Sequence, residues 1–309
     1  QTAKKPIKRI LRRRRLSESA MVSVECIVQT DDVLGEVPLW HPTENALYWI
    51  DLFKPAIHRL EILDRRVKTW TPPEKLGSFA LRAEGGLLIA GRSGLSLFDP
   101  SNGHLDKIID PEADNTENIL NDGRCDRRGR FWVGSMNKML THASGRLYRF
   151  EQQRLDVVAK GIWVPNSICC SPDDRRMYFA DSHLRTIFAY EFDIDSGTIG
   201  GRQEFASMDS IPGVPDGYSV DSEGFLWNAV FDGGCLVRYA PDGRTDRVVP
   251  LPVSRPSACT FGGPDLATLY VTTARFRLPP EKLATEPYAG GLLAIDVGVK
   301  GLPEPFFAG

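Results

Sequence analysis

Residues Val164 to Ser182 read VPNSICCSPDDRRMYFADS, and the second half of that stretch decides the fold. Arg176-Met-Tyr-Phe-Ala-Asp181 is a short run of aromatic and apolar residues, the composition of a strand. Runs of the same kind recur at Ala46-Leu-Tyr-Trp-Ile-Asp51, Gly86-Leu-Leu-Ile-Ala-Gly91, Arg130-Phe-Trp-Val-Gly134, Phe225-Leu-Trp-Asn-Ala229 and Thr268-Leu-Tyr-Val-Thr272. Anchored on Tyr48, Leu88, Trp132, Tyr178, Trp227 and Tyr270, they are separated by 40, 44, 46, 49 and 43 residues. Such spacing is that of four-stranded propeller blades, which repeat at about 40–50 residues.

Each anchor is followed by a further strand-like segment, for example Ile57-His-Arg-Leu60, Leu95-Ser-Leu-Phe98 and Ile187-Phe-Ala-Tyr190, and then by a polar turn such as DPSNG, DIDSG or APDG. Gly, Asp and Asn suit turn geometry. Six units predict an all-β chain folded as a six-bladed β-propeller over residues 21–309, closed by pairing the segment around Val22 to Val28 with C-terminal strands. Helical signal is weak, because the best candidate, RLPPEKLATEPY, is short and interrupted by Pro. A β-sandwich is the alternative, but it gives no reason for the repeat.

Composition agrees with a globule. The 309 residues are 42% hydrophobic and 25% charged, enough to bury a sizeable core. No apolar run approaches the ~18 residues of a membrane span, so no membrane partner is expected. Charge is uneven. Residues 1–20 hold eight basic side chains and one acid, whereas 21–309 carry 30 basic and 39 acidic residues, a net charge near −9. An acidic body disfavours nucleic acid as a partner. The basic arm 1–20 reads as a disordered extension, and the absence of an apolar segment behind it argues against a secretory signal. Cys26, Cys125, Cys169, Cys170, Cys235 and Cys259 show no C-x-x-C spacing and read as reduced, buried thiols of a cytoplasmic protein.

The first half of the opening stretch is less strand-like. Asn is depleted in strands, so Asn166 is either a turn residue or a side chain displayed for a purpose. Comparable polar residues beside Pro or Gly precede other anchors: Glu36 in LGEVPLW, Asn121 and Asp122 in NDGRCD, and Asp216 in VPDGYSVD. Singly, each is ordinary turn chemistry. Recurrence at matched blade positions suggests instead a ring of oxygens around the channel axis, and oxygen donors from separate blades are what a hard divalent cation needs. Calcium, zinc, manganese and magnesium all fit such ligands.

The stretches LGEVPLW, NDGRCDRRGRFWVGSM, VPNSICCSPDDRRMYFADS, PDGYSVDSEGFLWNAVFDGG and GGLLAIDVGVKGLPEPFFAG together resemble the SMP-30/gluconolactonase/luciferin-regenerating-enzyme family of regucalcin-like sugar lactonases, over roughly residues 24–309. The resemblance implies a six-bladed propeller with one divalent metal in its channel, held by Glu36, Asn166 and Asp216, with Asn121 contacting the substrate. It also implies that the strand after Val164 begins late, its first residues lining the channel. Two positions depart from the vertebrate gluconolactonase pattern: Ile119-Leu120 stands where Arg-Phe precedes NDG, and Lys138 stands where a Glu lies two places beyond the G-T-M triplet. Both put substrate identity in question, and Lys138 could favour a lactone bearing an anionic group, unless it is simply a solvated surface Lys.

The chemistry expected is hydrolysis of an aldono-lactone to the aldonic acid. The metal would polarise the carbonyl, Asp216 would orient or deprotonate water, and Asn121 would hydrogen-bond ring hydroxyls or the developing oxyanion. Asp122 reads as a residue that shapes its motif. No G-x-S-x-G elbow, H-E-x-x-H or nucleotide-binding glycine motif is present. Two alternatives stand: a phosphotriesterase-like hydrolase on the same metal site, and a non-catalytic calcium-binding propeller.

Overall fold

The computed structural model describes residues 22–309. They form six four-stranded antiparallel sheets, five of them contiguous in sequence. These are blade 1 (35–70), blade 2 (76–109), blade 3 (118–162), blade 4 (165–207) and blade 5 (214–250). Blade 6 takes three strands from 256–296 and its outermost strand, Val24–Gln29, from the start of the described chain. That strand pairs antiparallel with Gly291–Asp296, the closure expected from sequence, and it removes the sheet edge an open ring would leave. The basic stretch 1–20 lies outside the described residues. No helix among them is long and apolar enough to cross a membrane. The PEKLAT segment does form one helical turn and a half, Pro280–Thr285.

All six anchors lie on the second strand of a blade, and the reason is burial on both faces. Ala46–Asp51 and Leu87–Gly91 are buried at every position. One hydrophobic cluster fills each of the six gaps between neighbouring blades: Val37, Leu39 and Ile50 meet Leu76, Phe79 and Ile89 between blades 1 and 2, and Tyr178 meets Tyr218 and Val237 between blades 4 and 5. A strand packed on both sides reads as a continuous apolar run, whereas a solvent-facing strand such as Arg66–Trp70 is mostly exposed and polar. Trp49, Trp132 and Trp227 are fully buried, and truncating one to Ala costs about 3–5 kcal/mol. In blades 3 and 5 the first turn is fixed by a buried Asp: Asp126 accepts Trp132 Nε1 at 2.9 Å and Arg130 Nε at 2.7 Å, and Asp221 accepts Trp227 Nε1 at 2.9 Å and Arg238 Nε at 2.9 Å.

The innermost strands crowd around the axis. A Cβ on Gly77 would stand 2.4 Å from the Leu120 carbonyl oxygen, so only glycine lets blades 2 and 3 approach this closely. Opposite the mouth formed by the loops after each second strand, residues 300–309 cross the far end of the channel. Ser222 N donates to Lys300 O, Phe307 N to Leu81 O, and Ala308 N to Gly129 O, tying the tail to blades 5, 2 and 3. Glu304 from this tail meets Arg124 in a bidentate pair, Nε–Oε1 2.7 Å and Nη2–Oε2 2.6 Å.

None of the six cysteines is in a disulfide; Cys26 and Cys169 are half-buried and not fully buried as anticipated, while the other four are buried.

Candidate functional site

The expectation that the strand after Val164 begins late is corrected by the structure. Pro165–Cys170 is itself the innermost strand of blade 4, and Asn166 is its second residue. Pro is tolerated because this strand is at the inner edge of its sheet, where the N–H that Pro lacks would meet the channel. Glu36, Asn121 and Asp216 occupy the innermost strands of blades 1, 3 and 5 in the same way: Gly35–His41, Asn118–Cys125 and Val214–Val220.

Every innermost strand has a register shift near its start: Glu36/Leu39, Leu76/Ser78, Leu120/Gly123, Asn166/Ile168, Pro215/Tyr218 and Pro256/Ala258. Bulges re-aim side chains and concentrate at barrel rims and beside active sites. The two residues after Glu36 and Asn166, namely Val37 and Ser167, both have φ of +50°. A β-branched residue in that region is strained, and such strain persists where the surroundings enforce it. Part of the enforcement is visible. Ser167 N donates to Asp122 Oδ2 at 2.5 Å, and Ser167 Oγ donates to the Asp216 carbonyl at 2.8 Å, so blades 3, 4 and 5 are laced together at this level.

Glu36, Asn121, Asp122, Asn166 and Asp216 all line one cavity of 590 Å³ at the mouth of the channel. Asn121 donates both amide hydrogens, to Pro165 O at 2.8 Å and Asn166 Oδ1 at 3.0 Å. Its own Oδ1 is therefore what it offers to the cavity. Asn166 in turn donates to Ser182 Oγ at 2.7 Å, which fixes its amide with Oδ1 on the opposite side from Ser182. Asp122 accepts Gly123 N at 2.8 Å as well as Ser167 N, so it shapes the bulge.

The electrostatics of the floor are those of uncompensated negative charge. Burial, then the carboxylates of Asp216 and Asp122, push Glu36 well above the usual carboxylate range. Burial and then Asp122 push Asp216 well up too. What opposes each rise is a backbone N–H, of Val37 and of Gly217, and not a cationic side chain. Asp122 is raised by burial, with Ser167 N–H and Arg124 opposing. Carboxylates buried together without a cation favour either protonation or a bound cation. Among the described residues no cluster of three or more His, Cys, Asp and Glu side chains is arranged to hold a metal ion. A cation in this cavity would rely on two carboxylates and the second lone pair of an amide oxygen, a donor set suited to hard ions that keep water ligands.

Two positioning residues were not singled out from sequence. Asp51, 1% exposed, accepts Val33 N at 2.7 Å and Leu34 N at 3.2 Å, three and two residues before Glu36. Asp181 accepts Trp163 N at 2.9 Å and Val164 N at 3.2 Å, three and two residues before Asn166. The signal was available, because both end the matched strands ALYWID and RMYFAD.

The fold and site together define a class, a six-bladed propeller that gathers carboxylate and amide oxygens at one mouth of its channel. The chain belongs to the family described as SMP-30/Gluconolactonase/LRE-like region, whose pattern matches residues 34–275. It is 38% identical to a 6-deoxy-6-sulfogluconolactonase of Pseudomonas putida, over 93% of this chain and 99% of that one. It is 35% identical to an L-arabinolactonase of Azospirillum brasilense, over 92% and 95% of the two chains. Among solved structures it resembles a calcium-binding protein, regucalcin, of Agrobacterium tumefaciens, with a TM-score of 0.89, 29% identity, and coverage of 94% of this chain and 99% of that one.

Proposed function

We propose that the protein hydrolyses a sugar lactone to its aldonic acid, assisted by one divalent cation held by Glu36, Asn166 and Asp216. The observation that carries this reading is the pair of buried carboxylates, Glu36 and Asp216, on the floor of a cavity of 590 Å³, where only the backbone N–H groups of Val37 and Gly217 oppose their raised proton affinity. A space of that size suits a monosaccharide lactone, ligand pockets running about 300–1,000 Å³. The names of the lactonase relatives support the same substrate class.

A divalent cation bound there supplies Lewis-acid polarisation of the lactone carbonyl and acidifies water. The rest falls to the chain's own residues. Asp216 orients the attacking water and takes its proton. The water oxygen adds to the carbonyl carbon, the ring C–O bond breaks, and the ring oxygen leaves as a hydroxyl carrying one proton. The aldonate and one released proton are the products. Asn121, with both N–H groups committed, accepts a hydrogen bond from a sugar hydroxyl through Oδ1 and does not serve as an oxyanion donor. Ile119 supplies an apolar wall beside it.

The test is acid release, followed by pH-stat, from a panel of five- and six-membered sugar lactones and an aryl phosphotriester, with and without chelator. Chelator-sensitive release from a lactone supports the reading. Turnover of the phosphotriester alone moves the chemistry to phosphoryl transfer, and tight metal binding with no turnover of any substrate makes the protein a binding propeller.

A further inference from the structure

Above the acidic floor the same cavity is cationic. Lys75, Arg92, Lys138 and Arg277 line it, contributed by the segments around blades 1–2, 2, 3 and 6. Among the described residues none of the four forms an ion pair, although the body of the protein is acidic and arginines elsewhere on it pair readily, as Arg59 with Glu44, Arg149 with Asp156 and Arg255 with Asp232. Glu74, the neighbour of Lys75, is turned instead to Ser93, accepting its N–H at 2.8 Å. Lys138 donates to the Thr116 carbonyl at 3.1 Å, which satisfies one of its three hydrogens and none of its charge.

The placement of two of these cations is not that of free surface chains. Phe53 and Phe276 stack at 4.5 Å between ring centres with 6° between planes. The Lys75 ammonium lies 4.7 Å from the Phe53 ring and the Arg277 guanidinium 4.9 Å from the Phe276 ring, so an aromatic platform shared by blades 1 and 6 holds a cation on each ring.

We propose that the lactone this site takes carries an anionic group on the carbon remote from its carbonyl, and that Lys75, Arg92, Lys138 and Arg277 recognise that group while the floor engages the carbonyl. The inference deepens the lactonase reading and rests on it. The chemistry named is shared by phosphate, sulfonate and carboxylate; rim cations favour all three through charge-assisted hydrogen bonds, and they steer an anion toward the mouth.

The experiment compares kcat/KM for D-glucono-1,5-lactone with that for its counterparts bearing phosphate, sulfonate or carboxylate at C6, for wild type, Lys138→Met and Lys138→Met/Arg277→Met. The expected result is a preference for at least one anionic lactone that falls roughly 3- to 10-fold per cation removed and weakens with added salt. The anionic arm with the highest kcat/KM identifies the group. Equal or better use of the neutral lactone, or a preference indifferent to both variants, overturns the proposal. If no lactone is turned over, the lactonase reading has failed separately, and calorimetry with 6-phosphogluconate against gluconate decides this one: tighter binding of the former, lost in the double variant, upholds it, and equal binding overturns it.

Discussion

Removal of Glu304 is expected to be among the most damaging single changes outside the blades. Its side chain is 7% exposed and that of Arg124 is 14% exposed. The pair is bidentate, and the guanidinium also donates to Tyr218 O at 2.8 Å and Thr260 Oγ1 at 3.3 Å, so one arginine joins blades 3, 5 and 6 to the C-terminal tail. In Glu304→Ala the guanidinium stays charged, because arginine's own pKa lies above about 12. Breaking a buried pair from one side typically costs about 3–5 kcal/mol. At an unfolding entropy of about 2.1 cal/mol/K per residue, a chain of 309 residues loses about 1.5 °C per kcal/mol, so Tm should fall by about 5–8 °C. Thermal unfolding followed by tryptophan fluorescence reads the shift, and Arg124→Met/Glu304→Leu should recover most of it, since an apolar pair leaves no buried charge. A loss below about 1 kcal/mol in Glu304→Ala, the value of a surface pair, would refute the idea that the tail seals the channel.

Two further outcomes are expected. Asn121→Ala should raise KM for a lactone roughly 5- to 50-fold with a smaller change in kcat, as for loss of a ground-state hydrogen bond together with the support of Asn166; a pure kcat effect in steady-state kinetics would return Asn121 to the oxyanion. Stability should also depend on pH through Glu44. Burial pushes its carboxyl up, but the Tyr48 hydroxyl and Arg59 guanidinium outweigh burial and hold it below its usual range. The unfolded chain then binds the proton first, so this contribution is present above the ordinary Glu pKa of about 4.5 and is lost as pH falls through the folded value. The urea midpoint should therefore drop less steeply with acid in Glu44→Gln than in wild type, and equal slopes would contradict it.

The blades were legible because burial on both faces writes an unbroken apolar run into each second strand, and the ring closes only if those runs recur. That Glu36, Asn121, Asn166 and Asp216 meet in one cavity was legible for a related reason: polar residues recur near the starts of the innermost strands, and a propeller brings those starts to one axis. The strand at Pro165 was hidden because Pro and Asn argue locally for a turn, and only an inner-edge position with a bulge reconciles them with pairing to Asp181 and Ala180. The tail GLPEPFFAG has no strand period, so its crossing of the channel end follows from the Arg124 pair and from backbone bonds to three blades, neither of which leaves a local pattern. Lys75, Arg92 and Arg277 come from loops at unmatched places, and sequence pointed only to Lys138. The donors of Asn121 could not be assigned before its neighbours Pro165 and Asn166 were in place.

The most direct test of the central claim, that oxygens from separate blades share one cation that polarises an ester, is the rate of acid release from a sugar lactone by metal-stripped protein as a divalent ion is added back, for wild type, Glu36→Gln and Asp216→Asn. The account predicts recovery in wild type and rates lower by about 10²–10⁴-fold in both variants at the same metal concentration. Metal-independent release in wild type, or wild-type rates in both variants, would contradict it.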